Sequence, residues 1–329
     1  MRRSALALLV CCGGLAACVM PEDNPTTVKD LRVLAVRFEP PEVMLRACTP
    51  RLLGALAAGA DGGMLTLPPD AQAAFGVDLG RPVTMTALIA DPAGNGRSLT
   101  YRVLACANTS DRLCVNEGDS VELDGGVQPG GELTVQLQPG VAQLPDRTLL
   151  IQEVISQDTF RGLGGFRVPV VLDVQTADGS ERVYAQKLMV YMCQFFPEMR
   201  ANQTPVLPGV RIAGQPWPEG EVKTLSGTAP VQLEPEDFSA LQETYVLPNF
   251  ALSPVELRES WKVSWYTSMG TMSSATTGGV NFAGEAERQR STWQPDTTLK
   301  TPQDVTFTLV VRDGRGGTSW LQRRARWTP

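Results

Sequence analysis

The 329-residue sequence predicts a mainly β protein of two antiparallel β-sandwich domains, the first carrying a helical insertion and one short helix. Three observations predict it. Apolar residues alternate with polar ones over short runs, the period-two signature of strands with one buried face. Those runs end at turns rich in Gly, Pro and Asp. The aromatic and sulfur residues also divide the chain. All six Trp (Trp217, Trp261, Trp265, Trp293, Trp320, Trp327) lie at or after Trp217, and all seven Cys lie at or before Cys193. Two compositions this different mark two domains, 30–200 and 201–329, joined near the turn-rich Arg200 to Gly209.

The N-terminus reads as an export signal. Arg2 and Arg3 make a short positive start, and Ala5 to Ala17 is an almost unbroken small and apolar run. That run is shorter than the roughly 20 residues needed to span a bilayer core, and its small residues precede a cleavage point. Leu15, Ala16, Ala17 and Cys18 closely resemble the lipobox of bacterial lipoproteins. The resemblance implies cleavage of a signal peptide over 1–17 and acylation of Cys18, a palmitate-type lipid anchor. Several acyl chains anchor far more firmly than one. Val19, not Asp, follows Cys18, which by the same resemblance favours the outer membrane. Residues 18–29 read as a polar tether.

Leu31 to Phe38 reads as the first strand, with Leu34, Val36 and Phe38 on one face, and Pro40-Pro41 stops it. Arg46 to Gly80 is irregular and reads as an insertion (about 46–80). Within it Arg51 to Ala60 suits a turn or two of helix, and Asp70 suits a cap over Ala71 to Phe75. Val83 to Ala90 alternates, Asp91 to Gly96 is a turn, and Leu99 to Cys106 is the next strand. Leu133 to Leu137 is another strand, between Gly130-Gly131 and Pro139-Gly140. Leu144 to Thr159 has helical spacing with Asp146 as a cap, placing a helix over about 146–158, ended by Gly162 to Gly165. Val168 to Val174 and Val183 to Met192 flank Asp178-Gly179, a strong hairpin signal.

In the C-terminal part Pro216 to Gly220 and Thr224 to Gly227 read as turns. Pro235 to Tyr245 reads as a short helix or an extended arm. Trp261 to Thr267 and Val305 to Val311 alternate cleanly, and the turn Asp313 to Gly317 leads into a last strand, Thr318 to Trp327.

Removing the signal's Cys11 and Cys12 and acylating Cys18 leaves Cys48, Cys106, Cys114 and Cys193. Export permits disulfides. Cys106 and Cys114 flank a short polar loop that a bridge would pin, which leaves Cys48 with Cys193. With no CxxC, the spacing argues against zinc and redox chemistry.

Glu259 to Trp320 resembles the late part of an immunoglobulin-like or PKD-like β-sandwich, through Trp265-Tyr266, Gly270 and the Val311 to Gly317 turn. Asp30 to Glu42 and Thr86 to Pro92 resemble a second such start. Together with the lipobox, the chain resembles multi-domain outer-membrane lipoproteins common in myxobacteria. That resemblance implies location and fold, and this family has no established activity to transfer.

The chain has no His, which removes the usual general base, Ser-His and Cys-His pairs and His-containing metal sites. Its net charge of −6 offers nucleic acid no basic footprint. No catalytic motif stands out and no cofactor or metal is implied. Asp313, with Asp304, reads as a turn former ahead of a calcium ligand, since calcium needs six to eight oxygens. The Trp residues read as core before surface. The expected function is therefore a membrane-anchored lipoprotein of the cell envelope, a non-catalytic binding or scaffolding module, with an envelope protein or glycan as partner. The alternatives are an envelope hydrolase using paired carboxylates, and a structural subunit of a secretion or motility assembly.

Overall fold

The computed structural model describes residues 24–46, 69–160, 162–279 and 289–329. The lipobox residues Leu15 to Cys18, Cys48 and the helix expected over Arg51 to Ala60 lie outside the described residues. The protein is a mainly β, immunoglobulin-like β-sandwich protein.

In the first half the strands are β1 (Arg32–Glu39), β2 (Glu42–Leu45), β3 (Val83–Ala90), β4 (Ser98–Cys106), β5 (Ser120–Pro129), β6 (Gly131–Leu137), β7 (Phe166–Thr176) and β8 (Arg182–Cys193). They form sheets of order β1-β3-β6 and β2-β8-β7-β4-β5. Among the described residues two helices accompany them, α1 (Pro69–Leu79) and α2 (Leu150–Gln157). The second half contains β9 (Val210–Ile212), β10 (Gln215–Pro216), β11 (Val222–Ser226), β12 (Val231–Pro235), β13 (Thr244–Pro248), β14 (Pro254–Arg258), β15 (Lys262–Thr267), β16 (Thr271–Met272), β17 (Thr276–Gly278), β18 (Ser291–Gln294), β19 (Gln303–Arg312) and β20 (Thr318–Thr328). Here the sheets are β10-β9-β12-β18-β16 and β11-β20-β19-β15-β17, with β13-β14 as a separate two-stranded ribbon.

Each half opens with a strand in one sheet, breaks at prolines, and crosses to the other sheet. Pro40-Pro41 does this between β1 and β2, and Pro216 with Pro218 between β9 and β11. A proline has no N–H for the ladder, so the pairing cannot continue through it. After the crossing β2 lies parallel to β8 and β11 parallel to β20, so neither sandwich is wholly antiparallel.

The first core is aliphatic, built on Val83, Met85, Val103, Val170 and Leu172. The second is built on indoles. Trp217, Trp261, Trp265, Trp293 and Trp327 are buried, and Trp217 and Trp293 meet the Phe307 ring edge-on at 5.7 and 5.4 Å. Each buried indole N–H has an acceptor, for example Trp265 on Thr277 Oγ1 (2.8 Å) and Trp327 on the Gly227 carbonyl (2.8 Å). Satisfied this way, an indole adds area without a desolvation penalty for its N–H.

Several expectations are corrected. The β1–β3 register shifts between Val33 and Ala35, and this bulge turns Leu34 away from Val36 and Phe38. Leu34 and Ala35 pack with Val28, Leu88 and Val310 in a cluster joining the halves, as a bulge re-aims side chains. The helix expected from 146 begins at Leu150. Asp146 instead accepts from the Thr148 N–H and hydroxyl, and Arg147 has φ of 71°, a local turn that competes with helix. The turn expected at Thr224 to Gly227 falls largely within β11. The Pro235 to Tyr245 segment is an extended arm with one 3₁₀ turn, Ser239–Leu241. The end of the expected tether is part of the body: Thr26, Thr27 and Val28 are buried, and Thr27 bridges Thr267. The Thr27 hydroxyl donates to the Gly270 carbonyl at 2.6 Å, so a polar run becomes a buried one.

Candidate functional site

An open cleft of about 710 Å³ lies between the two halves. Three segments wall it. The first is the loop after β4, Ala107 to Ser110. The second is the end of α2 with Asp158 to Phe160 and Leu163 to Gly165. The third is the tip of the β13–β14 ribbon, Leu247 to Phe250.

Each wall has its own local cause. Cys106 and Cys114 are disulfide-bonded and close the first loop. In the second, the Asp158 carboxylate accepts from the Phe160 and Gly162 N–H groups. Gly165 is required there: at φ +85° a Cβ would meet Val190 Cγ1 at 2.7 Å and the Tyr191 carbonyl at 3.2 Å. In the third, Asn249 Oδ1 accepts from the Ala251 and Ser253 N–H groups, both at 2.9 Å. The ribbon's inner residues Val246 and Leu247 pack on Val190, Met192 and Met199 of the first half.

Phe250 is 83 % exposed and Phe160 57 % exposed. Their rings meet across the halves with centroids 6.4 Å apart. Among the described lining residues only Asp158 and Arg167 ionise. Asp158 is occupied by backbone, whereas Arg167 has no acidic partner among the described residues.

A second polar feature lies at the joint between the halves. Arg315, nearly buried, reaches Glu243 at 3.3 Å, Glu42 at 3.7 Å and Glu259 at 3.8 Å. Its guanidinium lies 4.2 Å from the centre of the Tyr245 ring. Asp313 accepts from the Arg315, Gly316 and Gly317 N–H groups through Oδ1, and from Asn202 Nδ2 at 2.8 Å through Oδ2. Burial raises the Glu42 pKa to about 7, against the opposing pull of Arg315 and the Asn202 N–H. Burial also raises Glu259, opposed by the hydrogen bond from Trp261.

The sequence-derived sites are distributed as follows. Cys193 is disulfide-bonded, and its expected partner Cys48 lies outside the described residues. Asp313 ties a turn, while Asp304, at the far end of β19, pairs with Arg326 at 2.8 Å. The two acids do not converge. Among the described residues no group of three or more His, Cys, Asp or Glu is placed to hold a metal. No described helix is long and apolar enough to cross a membrane. Trp320 packs under Arg37 at 4.7 Å and donates to Glu132 at 2.8 Å across the joint. Sequence reasoning missed the β13–β14 ribbon, and with it Phe250. The signal was there in Tyr245-Val246-Leu247 and Val255-Glu256-Leu257, two short alternating runs around Asn249 to Ser253.

No known family model matches the chain, and no curated protein matches it in sequence. Among solved structures it is similar to the fibronectin(III)-like modules of Clostridium thermocellum CbhA, at 7% identity and TM-score 0.18, covering 76% of this chain and 85% of that one. A protein of Corynebacterium diphtheriae described as membrane anchored matches at 8% identity and TM-score 0.20, over 76% of this chain and 56% of that one. Dimeric latent PorU of Porphyromonas gingivalis matches at 9% identity and TM-score 0.20, over 91% of this chain and 24% of that one. At scores near 0.2 none of these likenesses bears on what the chain does.

Proposed function

We propose that this chain is a lipid-anchored protein of the cell envelope, of the multi-domain outer-membrane lipoprotein kind, whose folded body binds or scaffolds another envelope component without catalysing a reaction. The observation that carries the reading is the Leu15-Ala16-Ala17-Cys18 motif ahead of a body that begins by Thr26. Five residues lie between Cys18 and Asn24, a span of at most about 20 Å, so an anchored body sits close against its membrane. The disposition of the carboxylates supports a non-catalytic role. Glu42, Glu243 and Glu259 converge on Arg315 at the joint, and the Glu42 and Glu259 side chains are 2 % exposed. Carboxyl groups so enclosed are out of reach of a glycosidic or peptide bond, which a paired-carboxylate hydrolase must hold between them.

The test is palmitate labelling and membrane fractionation of the wild type beside Cys18→Ala, followed by protease shaving of intact cells. Label in the wild-type membrane fraction, absent from the variant, is expected. Equal soluble partitioning of both would overturn the anchor. Shaving then distinguishes a surface body from one facing the periplasm.

A further inference from the structure

We infer that the cleft between the halves is a binding site for a carboxylate-bearing glycan, with Phe160 and Phe250 as its stacking wall and Arg167 as the carboxylate partner. This deepens the proposed binding role by naming the ligand class, and it rests on that reading.

The lining groups argue for the class. Asn108 and Asn249 have their Oδ1 atoms committed to backbone N–H groups, which leaves each Nδ2 as a donor. Thr109, Ser110 and Thr159 add hydroxyls that both donate and accept. Amides and hydroxyls around an open, mostly loop-built cleft match a ligand covered in hydroxyl groups. The two exposed rings, meeting at 6.4 Å, offer apolar faces of the size of a pyranose C–H face. Phe cannot hydrogen-bond, so its exposure on two facing loop tips leaves apolar area in water that a ligand could cover.

Arg167 supplies the charge selection. It extends from the start of β7 along the Gly164 backbone, where a Cβ would stand 3.7 Å from its Nη2. A planar fork of donors is matched to a carboxylate, which it can bind in two parallel hydrogen bonds. The other ionisable side chain among the described lining residues, Asp158, is held by two backbone N–H groups and turned to its own loop. A neutral sugar would leave Arg167 without a counter-charge, and a phosphate-rich ligand would meet one cation only among the described lining residues. An extended peptide would need a free strand edge, and the cleft is walled mostly by loops and turns.

The test uses the full-length protein in neutral detergent micelles. The probes are tetragalacturonate, its methyl ester, maltotetraose and apolar tetrapeptides. Hyaluronate tetrasaccharide and muramate-containing glycan strands are further carboxylated probes. Calorimetric binding of at least one carboxylated glycan is expected, with at least tenfold weakening on esterification or in Arg167→Gln. Phe250→Ala should weaken it at least tenfold as well. Both variants lie on exposed side chains, so unchanged melting temperatures would separate lost contacts from lost folding. Equal affinity for acid and ester, or insensitivity to Arg167→Gln, overturns the carboxylate assignment. Silence across the carboxylated panel, or binding of the peptides in its place, overturns the site. None of these outcomes depends on Cys18, whose acylation is read by label, so the two readings fail separately.

Discussion

The two halves of the molecule share a strand plan and differ in what fills it. In the first, β1 pairs antiparallel with β3, and β2 crosses to lie parallel to the last strand, β8. In the second, β9 pairs antiparallel with β12, and β11 crosses to lie parallel to β20. Behind these, β4-β7-β8 and β15-β19-β20 run in the same order in their sheets. The first half packs Val, Leu and Met between its sheets, and the second packs five indoles with Phe307. An aliphatic core tolerates this plan with many small side chains, and an aromatic one with few large ones. The halves also differ in their insertions. Between β3 and β4 there is a short turn, Pro92–Gly94. At the equivalent place between β12 and β15 the chain adds the whole β13–β14 ribbon. That ribbon lies on the first half and closes the cleft, so the departure from the shared plan is what makes the candidate site.

The sharpest way to test the difference in cores is Trp293→Ala. It removes a fully buried ring from the aromatic half and should cost about 3–5 kcal/mol, read by urea unfolding. The remaining five Trp report the second half, and hydrogen exchange of β4 and β7 amides reports the first. Equal loss of protection in both halves would show that they unfold as one unit. The joint itself is probed by Arg315→Ala. Removing the cation from beside buried Glu42 and Glu259 and partly exposed Glu243 should cost about 3 kcal/mol or more and split unfolding into two transitions. A single transition with an unshifted midpoint would make the joint energetically silent.

The joint also predicts a pH dependence that neither core would produce. The groups facing Glu42 are Arg315, the Asn202 N–H, Asp313 and Glu243. With a folded pKa raised from 4.5 to about 7, Glu42 holds its proton more tightly in the folded state. Its contribution is fully present below pH 4.5 and is lost as pH rises through 7. The change is on the order of 3 kcal/mol, and Glu42→Gln should flatten it. A wild-type profile already flat from pH 4.5 to 7.5 would contradict the assignment. The smallest effect belongs to the first half alone. Replacing Cys106 and Cys114 by Ser frees an eight-residue separation and should cost about 2–3 kcal/mol. It should loosen Ala107 to Ser110 and leave the Trp signal unmoved, and a shifted Trp transition would argue against that confinement.

Much of the strand plan is legible from residue order alone. Val83 to Ala90 and Trp261 to Thr267 alternate so cleanly that their boundaries fall within a residue of the observed strands, because a half-buried strand imposes a period of two. The turn at Asp178-Gly179 is equally local. The strand β5 went unread although Val121, Glu122, Leu123 and Asp124 alternate: Gly125-Gly126 cuts that run short, and the pairing with β4 carries the strand through the glycines. The β1 bulge was hidden as well, since Leu34, Val36 and Phe38 have the spacing of one face, and only the second half's Val310 gives Leu34 a place elsewhere.

By itself, then, the order of residues determined the β class, the gathering of all Trp toward the C-terminus, the cysteine-pinned loop and the lipobox-like motif. These rest on neighbours in the chain or on composition, and need no knowledge of what meets what. Only the tertiary structure decided that Arg315 serves Glu42, some 270 residues away, and that Phe160 meets Phe250. It also decided that Arg167 stands without an acidic partner among the described residues. Such pairings depend on how the halves and the ribbon dock, and the free energy of docking is spread over many side chains whose partners are distant in the chain.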